Sequence, residues 1–139
     1  MKLKFKISQT TSLAPEIIID RIKVELDQNK YRVLNITNNS VKFDESPWKL
    51  MWNFEAMRRL DGGKFDVNLQ DNLTSVTFSY YRSLIAPIII LTVISISLIK
   101  DGEYYAPLGF FLFYVITLTF NAFTLKNVAN EMLNNILIF

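Results

Sequence analysis

Two long uncharged apolar runs, separated by a short polar loop, constrain this chain more than any other feature. The first run covers residues 84–99 and the second covers residues 106–125. As helices they would be about 24 Å and about 30 Å long, against a hydrocarbon core of about 30 Å. A chain of 139 residues cannot surround two helices that are apolar on every side, so we expect both to enter a membrane.

The loop between the runs is six residues long, from Lys100 to Tyr105, which predicts a two-helix transmembrane hairpin over 83–99 and 106–125. Both chain ends are then expected on the same side. Aromatic rings favour the membrane interface, and long basic side chains reach it by snorkelling. The expected interface anchors are Tyr80, Tyr81, Arg82, Lys100, Tyr104, Tyr105 and Lys126.

The distribution of charge predicts the orientation of this hairpin. Thirteen of the fifteen Lys and Arg residues lie at or before Arg82, against ten Asp and Glu. Close to the membrane, Arg82 and Lys126 lie on one side and Lys100 on the other, so the positive-inside rule favours cytoplasmic N- and C-termini. Abundant Ile, Asn, Lys and Phe are typical of an AT-rich bacterial genome. We therefore predict a multi-pass protein of the bacterial inner membrane.

The composition argues against several kinds of chemistry. The chain has no Cys and no His, which excludes disulfides, Cys or His metal ligands and the usual proton shuttle at neutral pH. With only four Gly it lacks a glycine-rich phosphate-binding loop, and its basic surplus is small for nucleic-acid binding. The carboxylates are scattered over turns and outward strand positions. We predict no enzymatic activity, cofactor, metal or nucleic-acid partner.

Residues 1–82 read as a small α+β domain. Pro15 suits the first turn of a helix that ends near Asn29, and Asp61-Gly62 is typical of a hairpin turn. Residues 46–60 fit a strand or a helix, and a strand is preferred. Alternating apolar and polar side chains predict the remaining strands, which cover residues 2–7, 31–37, 41–43, 64–69 and 74–81.

The expected architecture is an antiparallel sheet with one packed helix, the transmembrane hairpin over 83–125, and an amphipathic C-terminal helical extension over 126–139 that continues the second apolar helix. This last helix is expected to pack on the N-terminal domain; the alternatives are the membrane interface and a partner helix. Almost no linker separates the last strand from the first apolar run, so the sheet is expected to lie directly on the membrane.

Two groups in the N-terminal domain are candidate contact sites. Lys2, Lys4 and Lys6 lie on one side of the first strand, where they would bind acidic lipid headgroups or protect an edge strand from aggregation, which is the commoner use. Trp48 and Trp52 would anchor a partner or the interface, or fill the core, which is the preferred interpretation.

The apolar runs carry a few polar residues, and none that is ionisable, which argues against an ion path. Thr117, Asn121 and Thr124 share one face of the second helix. Pro87 has no N–H, so the Ser83 carbonyl lacks its usual partner. We hypothesise that the Asn121 amide donates to that carbonyl or to a neighbouring one and locks the hairpin.

These features predict an accessory or scaffolding subunit of a membrane complex that acts through protein contacts. The alternative is a self-assembling membrane effector or pore with a cytoplasmic sensor domain. The expected partners are the lipid bilayer and either other membrane-protein subunits or further copies of the chain.

Overall fold

The computed structural model describes residues 2–45, 59–102 and 104–138, without the side chains of Ala86 and Pro87. Within these ranges the strands and the first helix lie where the sequence pattern predicts them. Four of the five described strands are longer than predicted, and β2 starts one residue later. The elements in chain order are β1 (Lys2–Thr11), α1 (Pro15–Gln28), β2 (Arg32–Thr37), β3 (Ser40–Asp44), β4 (Gly62–Gln70), β5 (Leu73–Ser83), α2 (Ile85–Lys100) and α3 (Ala106–Leu137).

The strands form one antiparallel sheet in the order β1-β5-β4-β3-β2. The first strand of the chain, β1, pairs with the last, β5, from Lys2 opposite Ser83 to Thr11 opposite Thr74. The turn between β4 and β5 consists of Asp71 and Asn72, both with positive φ, 50° and 64°, as in the type I′ turn that suits a two-residue hairpin. The strand order makes β1 an edge strand, and its neighbour β5 is the strand that leads into α2.

One face of the sheet carries the hydrophobic core. Phe43, Phe65 and Phe78 are fully buried there, and the rings of Phe65 and Phe78 stack with centroids 4.0 Å apart. Helix α1 covers this face because its spacing of apolar side chains matches the helical repeat. The side chains that it buries are Ile18, Ile19, Ile22 and Leu26.

The C-terminal half of α3 completes the core, as predicted for the amphipathic tail. Its buried side chains are Leu125, Ala129, Met132, Leu133 and Ile136. Arg21 of α1 donates from Nη1 to the carbonyls of Ile136 at 3.1 Å and Ile138 at 3.2 Å. These bonds satisfy carbonyls that a helix end leaves free. Together with the buried side chains, they attach the last three turns of α3 to the sheet domain.

The predicted architecture with a two-helix transmembrane hairpin is wrong. Among the described residues, only α3 is long and apolar enough to cross a membrane. Helix α2 has 16 residues and a length of about 24 Å, which is too short for a span; it packs against α3 instead. The prediction failed because it relied on the uncharged composition of 84–99 and used flanking residues to extend a short helix.

Residues 126–137 continue the helix of the second apolar run, as expected from the sequence. Helix α3 continues from Ala106 to Leu137, since no Gly or Pro interrupts it after Gly109. The interpretations of Trp48, Trp52 and most of 46–60 concern residues outside the described ranges.

Gly63 provides a test of the sheet packing. A Cβ at this position would lie 2.7 Å from the Ser79 carbonyl oxygen and 2.9 Å from Cε2 of Phe78. We expect Gly63→Ala to lower the free energy of unfolding by about 1–3 kcal/mol, because backbone and a buried ring must shift. Chemical denaturation in detergent measures this change.

The matched control is Gly109→Ala in α3, where a Cβ would meet nothing within 4 Å. There the substitution is expected to be neutral or to stabilise by up to about 1 kcal/mol, the helix preference of Ala over Gly. Equal losses at the two positions would contradict the packing described for Gly63.

Tyr31 links the end of α1 to the start of β4. Its hydroxyl accepts a hydrogen bond from the Leu60 N–H at 3.1 Å, and the Arg59 guanidinium lies 4.4 Å from its ring centroid. Burial raises the pKa of Tyr31 above its ordinary value of 10.0. The neutral phenol is therefore the form that the folded state favours.

The protein is expected to keep the Tyr31 contribution to stability below pH 10 and to lose it as the pH rises through the raised pKa. Tyr31→Phe should weaken this alkaline loss, and at neutral pH it should cost about 1–3 kcal/mol because the buried Leu60 N–H loses its acceptor. Denaturation midpoints from pH 8 to 11.5 measure both effects. An unchanged alkaline slope in the variant would contradict the assignment.

Candidate functional site

Exposed apolar side chains cover residues 88–99 of α2 and residues 106–124 of α3. Every buried side chain of α3 lies at or beyond Leu125, so the helix divides into an exposed half and a docked half. Exposed apolar patches of this kind mark protein or membrane contacts. The large exposed side chains include Ile88, Ile89, Ile90, Val93, Ile96, Ile99, Phe110, Phe111, Phe113, Ile116, Phe120 and Phe123.

The helices join the sheet domain through a tight junction. Only Leu84 lies between β5 and α2, and the Ser83 N–H donates to Oδ2 of Asp61 at 2.6 Å. Arg82 donates from Nη1 to the Arg59 carbonyl at 3.2 Å, and its Nε lies 3.9 Å from the Asp61 carboxylate. These contacts fix the direction in which α2 leaves the sheet.

A cavity of about 190 Å³ lies at this junction, between the edge strand and α3. Leu3 and Phe5 of β1 form one wall because alternation directs them to the inner face. Residues 82–84 form a second wall. The third wall comes from α3 and consists of Tyr114, Thr117, Leu118, Asn121, Ala122 and Leu125.

Two residues that line this cavity each carry a buried polar atom without a hydrogen-bond partner in the described part of the chain. They are the hydroxyl oxygen of Tyr114 and Oδ1 of Asn121. Buried polar groups are normally paired. The hydrogen bond predicted from the Asn121 amide to the Ser83 carbonyl is not formed among these residues, although both residues line the cavity.

The threonines of the same helix differ from these two residues. Thr117 donates to the Phe113 carbonyl at 2.9 Å and Thr124 to the Phe120 carbonyl at 3.1 Å, each four residues earlier. Such local bonds satisfy a hydroxyl within its own helix. The face predicted from Thr117, Asn121 and Thr124 therefore contains one residue whose polar group still needs a partner.

The expected interface anchors fall into three places. Tyr80 is 2% exposed and its ring stacks on Phe5 with centroids 5.4 Å apart, so it packs in the core. Tyr81 is half-buried beneath the Lys2 ammonium, 4.3 Å from the ring centroid. Burial raises the pKa of both tyrosines above 10.0. The exposed anchors are Lys100 at the end of α2, Tyr104 and Tyr105 in the helix connection, and Lys126 in α3.

The lysines of β1 belong to a wider basic face. Lys2, Lys4 and Lys6 are exposed on the outer side of the sheet, and the register brings Lys42 opposite Lys64 on that side. Sequence reasoning missed these last two, although the alternation in Val41-Lys42-Phe43 was the signal. Because β1 is an edge strand, the edge-protection and headgroup-binding interpretations both remain.

The described residues contain no group of three or more Asp or Glu side chains that could hold a metal ion. Several carboxylates pair with basic side chains instead. Asp44 pairs with Arg32, Glu45 with Arg59, and Asp66 with Lys64. Comparison of the chain with protein-family models, with curated proteins and with solved structures finds no match.

Proposed function

We propose that this protein is a non-catalytic, membrane-anchored subunit that acts through protein contacts, as an accessory or scaffolding component of a membrane complex. Residues 106–124 of α3 enter the bilayer, and the sheet domain lies at its surface. The observation that carries the proposal is the division of α3 into an exposed apolar half and a half docked in the core.

The exposed half of α3 supports contact with other proteins as well as with lipid. It carries Phe110, Phe111, Phe113, Phe120 and Phe123, all exposed although α2 packs against the same helix. Aromatic residues are enriched in the centres of protein interfaces. Rigid attachment through Asp61 and Ser83 also suits a subunit that must hold its sheet domain in a fixed orientation.

The charges flanking the apolar segments support a location in the bacterial inner membrane with the sheet domain in the cytoplasm. Arg82 and Lys126 both lie next to the sheet domain, where the positive-inside rule favours the cytoplasmic side. The C-terminal half of α3 packs on that domain, so it lies on the same side. A non-catalytic role is consistent with carboxylates engaged in ion pairs.

The alternative function is self-assembly into a membrane effector or pore. The same exposed phenylalanines favour it, since a second copy of α3 would cover them as well as a foreign helix would. In this arrangement the sheet domain is the sensor.

Membrane anchoring predicts a strong effect of one charge in the exposed half of α3. Phe113 is 69% exposed, and a Lys near the centre of a membrane helix costs about 2.5–3.5 kcal/mol. We expect Phe113→Lys to lose retention in the membrane fraction after alkaline carbonate extraction.

The control is Leu73→Lys, which places the same charge at an exposed apolar position beside the β4–β5 turn, 47% exposed. This variant should stay in the membrane fraction like the original chain. If both variants remained, or the original chain were extracted, the anchoring role of α3 would be refuted.

Affinity capture from native membranes tests the accessory role. Stoichiometric membrane proteins of other sequence, reduced by Phe120→Ala, would support it. Chemical crosslinking that yields only a ladder of homo-oligomers would support self-assembly. A chain that stays in membranes as a monomer without partners would contradict both functions.

A further inference from the structure

The cavity between β1, residues 82–84 and α3 combines an apolar lining with two unmatched polar atoms. Leu3, Phe5, Leu118 and Leu125 contribute apolar side chains. Its lining residues Tyr114 and Asn121 each carry a buried polar atom, the Tyr114 hydroxyl and Asn121 Oδ1, that has no partner in the described residues. We propose that it is a binding site for an acyl-chain lipid with a glycerol hydroxyl, which donates a hydrogen bond to Asn121.

The hydrogen-bond requirement follows from the chemistry of the two side chains. A carboxamide oxygen only accepts, whereas a tyrosine hydroxyl both donates and accepts. A glycerol group with two free hydroxyls has the groups to satisfy both residues, one hydroxyl donating to Asn121 Oδ1 and one accepting from the Tyr114 hydroxyl. An ester or a hydrocarbon chain lacks a donor, so it leaves Asn121 unpaired.

The size of the cavity limits what it holds. Its volume is about 190 Å³, and a cavity of about 150 Å³ admits a molecule the size of benzene. The site therefore accommodates a glycerol group and a few carbons of an attached chain. The remaining chain lies on the exposed apolar surface of α2 and α3, which meets the cavity at Tyr114 and Leu118.

An uncharged headgroup suits the site better than a phosphate. Among the described residues of the lining, Arg82 is the one basic side chain, and it already contacts the Arg59 carbonyl and the Asp61 carboxylate. A monoacylglycerol has the required chemistry. The glycerol headgroup of phosphatidylglycerol is a second source of the same hydroxyl.

The inference rests on the bilayer placement of residues 106–124, because that placement supplies lipid to the cavity. The two are tested separately: carbonate extraction reports on anchoring, and binding in detergent reports on the cavity. Loss of one result without the other identifies which statement fails.

Native mass spectrometry of the full chain tests the site. The detergent is lauryldimethylamine oxide, which has no hydroxyl to compete. The probes are monooleoylglycerol, dioleoylphosphatidylglycerol and methyl oleate, which has the same acyl chain and no hydroxyl. We expect one monooleoylglycerol per chain, bound about tenfold more tightly than methyl oleate, as for one buried hydrogen bond.

Two variants and a matched control assign the effect to the unpaired atoms. Asn121→Leu should weaken monooleoylglycerol binding to the level of methyl oleate, and Tyr114→Phe, which keeps the ring, should weaken it several-fold. Thr117→Val changes a hydroxyl in the same lining that is already bonded to Phe113, so its binding should be unchanged. Circular dichroism confirms that each variant is folded, and Tyr114→Phe provides the test if Asn121→Leu is not.

Stronger retention of phosphatidylglycerol than of monooleoylglycerol would support the site and identify the phospholipid headgroup as its source. Equal retention of monooleoylglycerol and methyl oleate would overturn the proposal. Retention of neither probe would also overturn it, because that is the result for a cavity filled by water. A loss of monooleoylglycerol binding in Thr117→Val as large as in Asn121→Leu would overturn it as well.

Discussion

The docking of the C-terminal half of α3 on the sheet is the interaction on which the rest of the structure depends. Leu133 and Ile136 fill the same core as Ile22 of α1 and Phe78 of β5. Burying each such side chain stabilises a fold by about 1.5–3 kcal/mol. The same docking leaves residues 106–124 outside the core and places the third wall of the cavity opposite β1, so one packed interface supports the domain, the apolar surface and the candidate binding site.

The local periodicity of apolar side chains was sufficient to predict the five described strands and α1 from the sequence. The alternation around Phe43, Phe65 and Phe78 predicts the inner face because a strand sends successive side chains to opposite sides. The pairing of β1 with β5 was beyond this reasoning, since it joins residues about seventy positions apart. Uncharged composition likewise indicated an apolar helix at 84–99 without establishing that it spans a membrane.

The candidate site was predictable only in part. Asn121 stands out in the sequence because an amide in an apolar helix needs a partner. The hypothesis concerned the amide N–H as a donor, whereas the structure leaves the acceptor Oδ1 unpaired and brings Tyr114 to the same cavity. Tyr114 lies seven residues before Asn121, on the same helix face, yet Leu3 and Phe5 reach the cavity only through the edge position of β1.

The uninterrupted course of α3 has a mechanical consequence. Its 32 residues form a single helix about 48 Å long, with no Gly or Pro after Gly109. The core and Arg21 fix one end of this helix. Because the helix is rigid and fixed to the core, a tilt or rotation of its apolar half would turn the sheet by the same angle. The basic face, which includes Lys4 and Lys64, would then change its direction when the neighbours of the apolar half move.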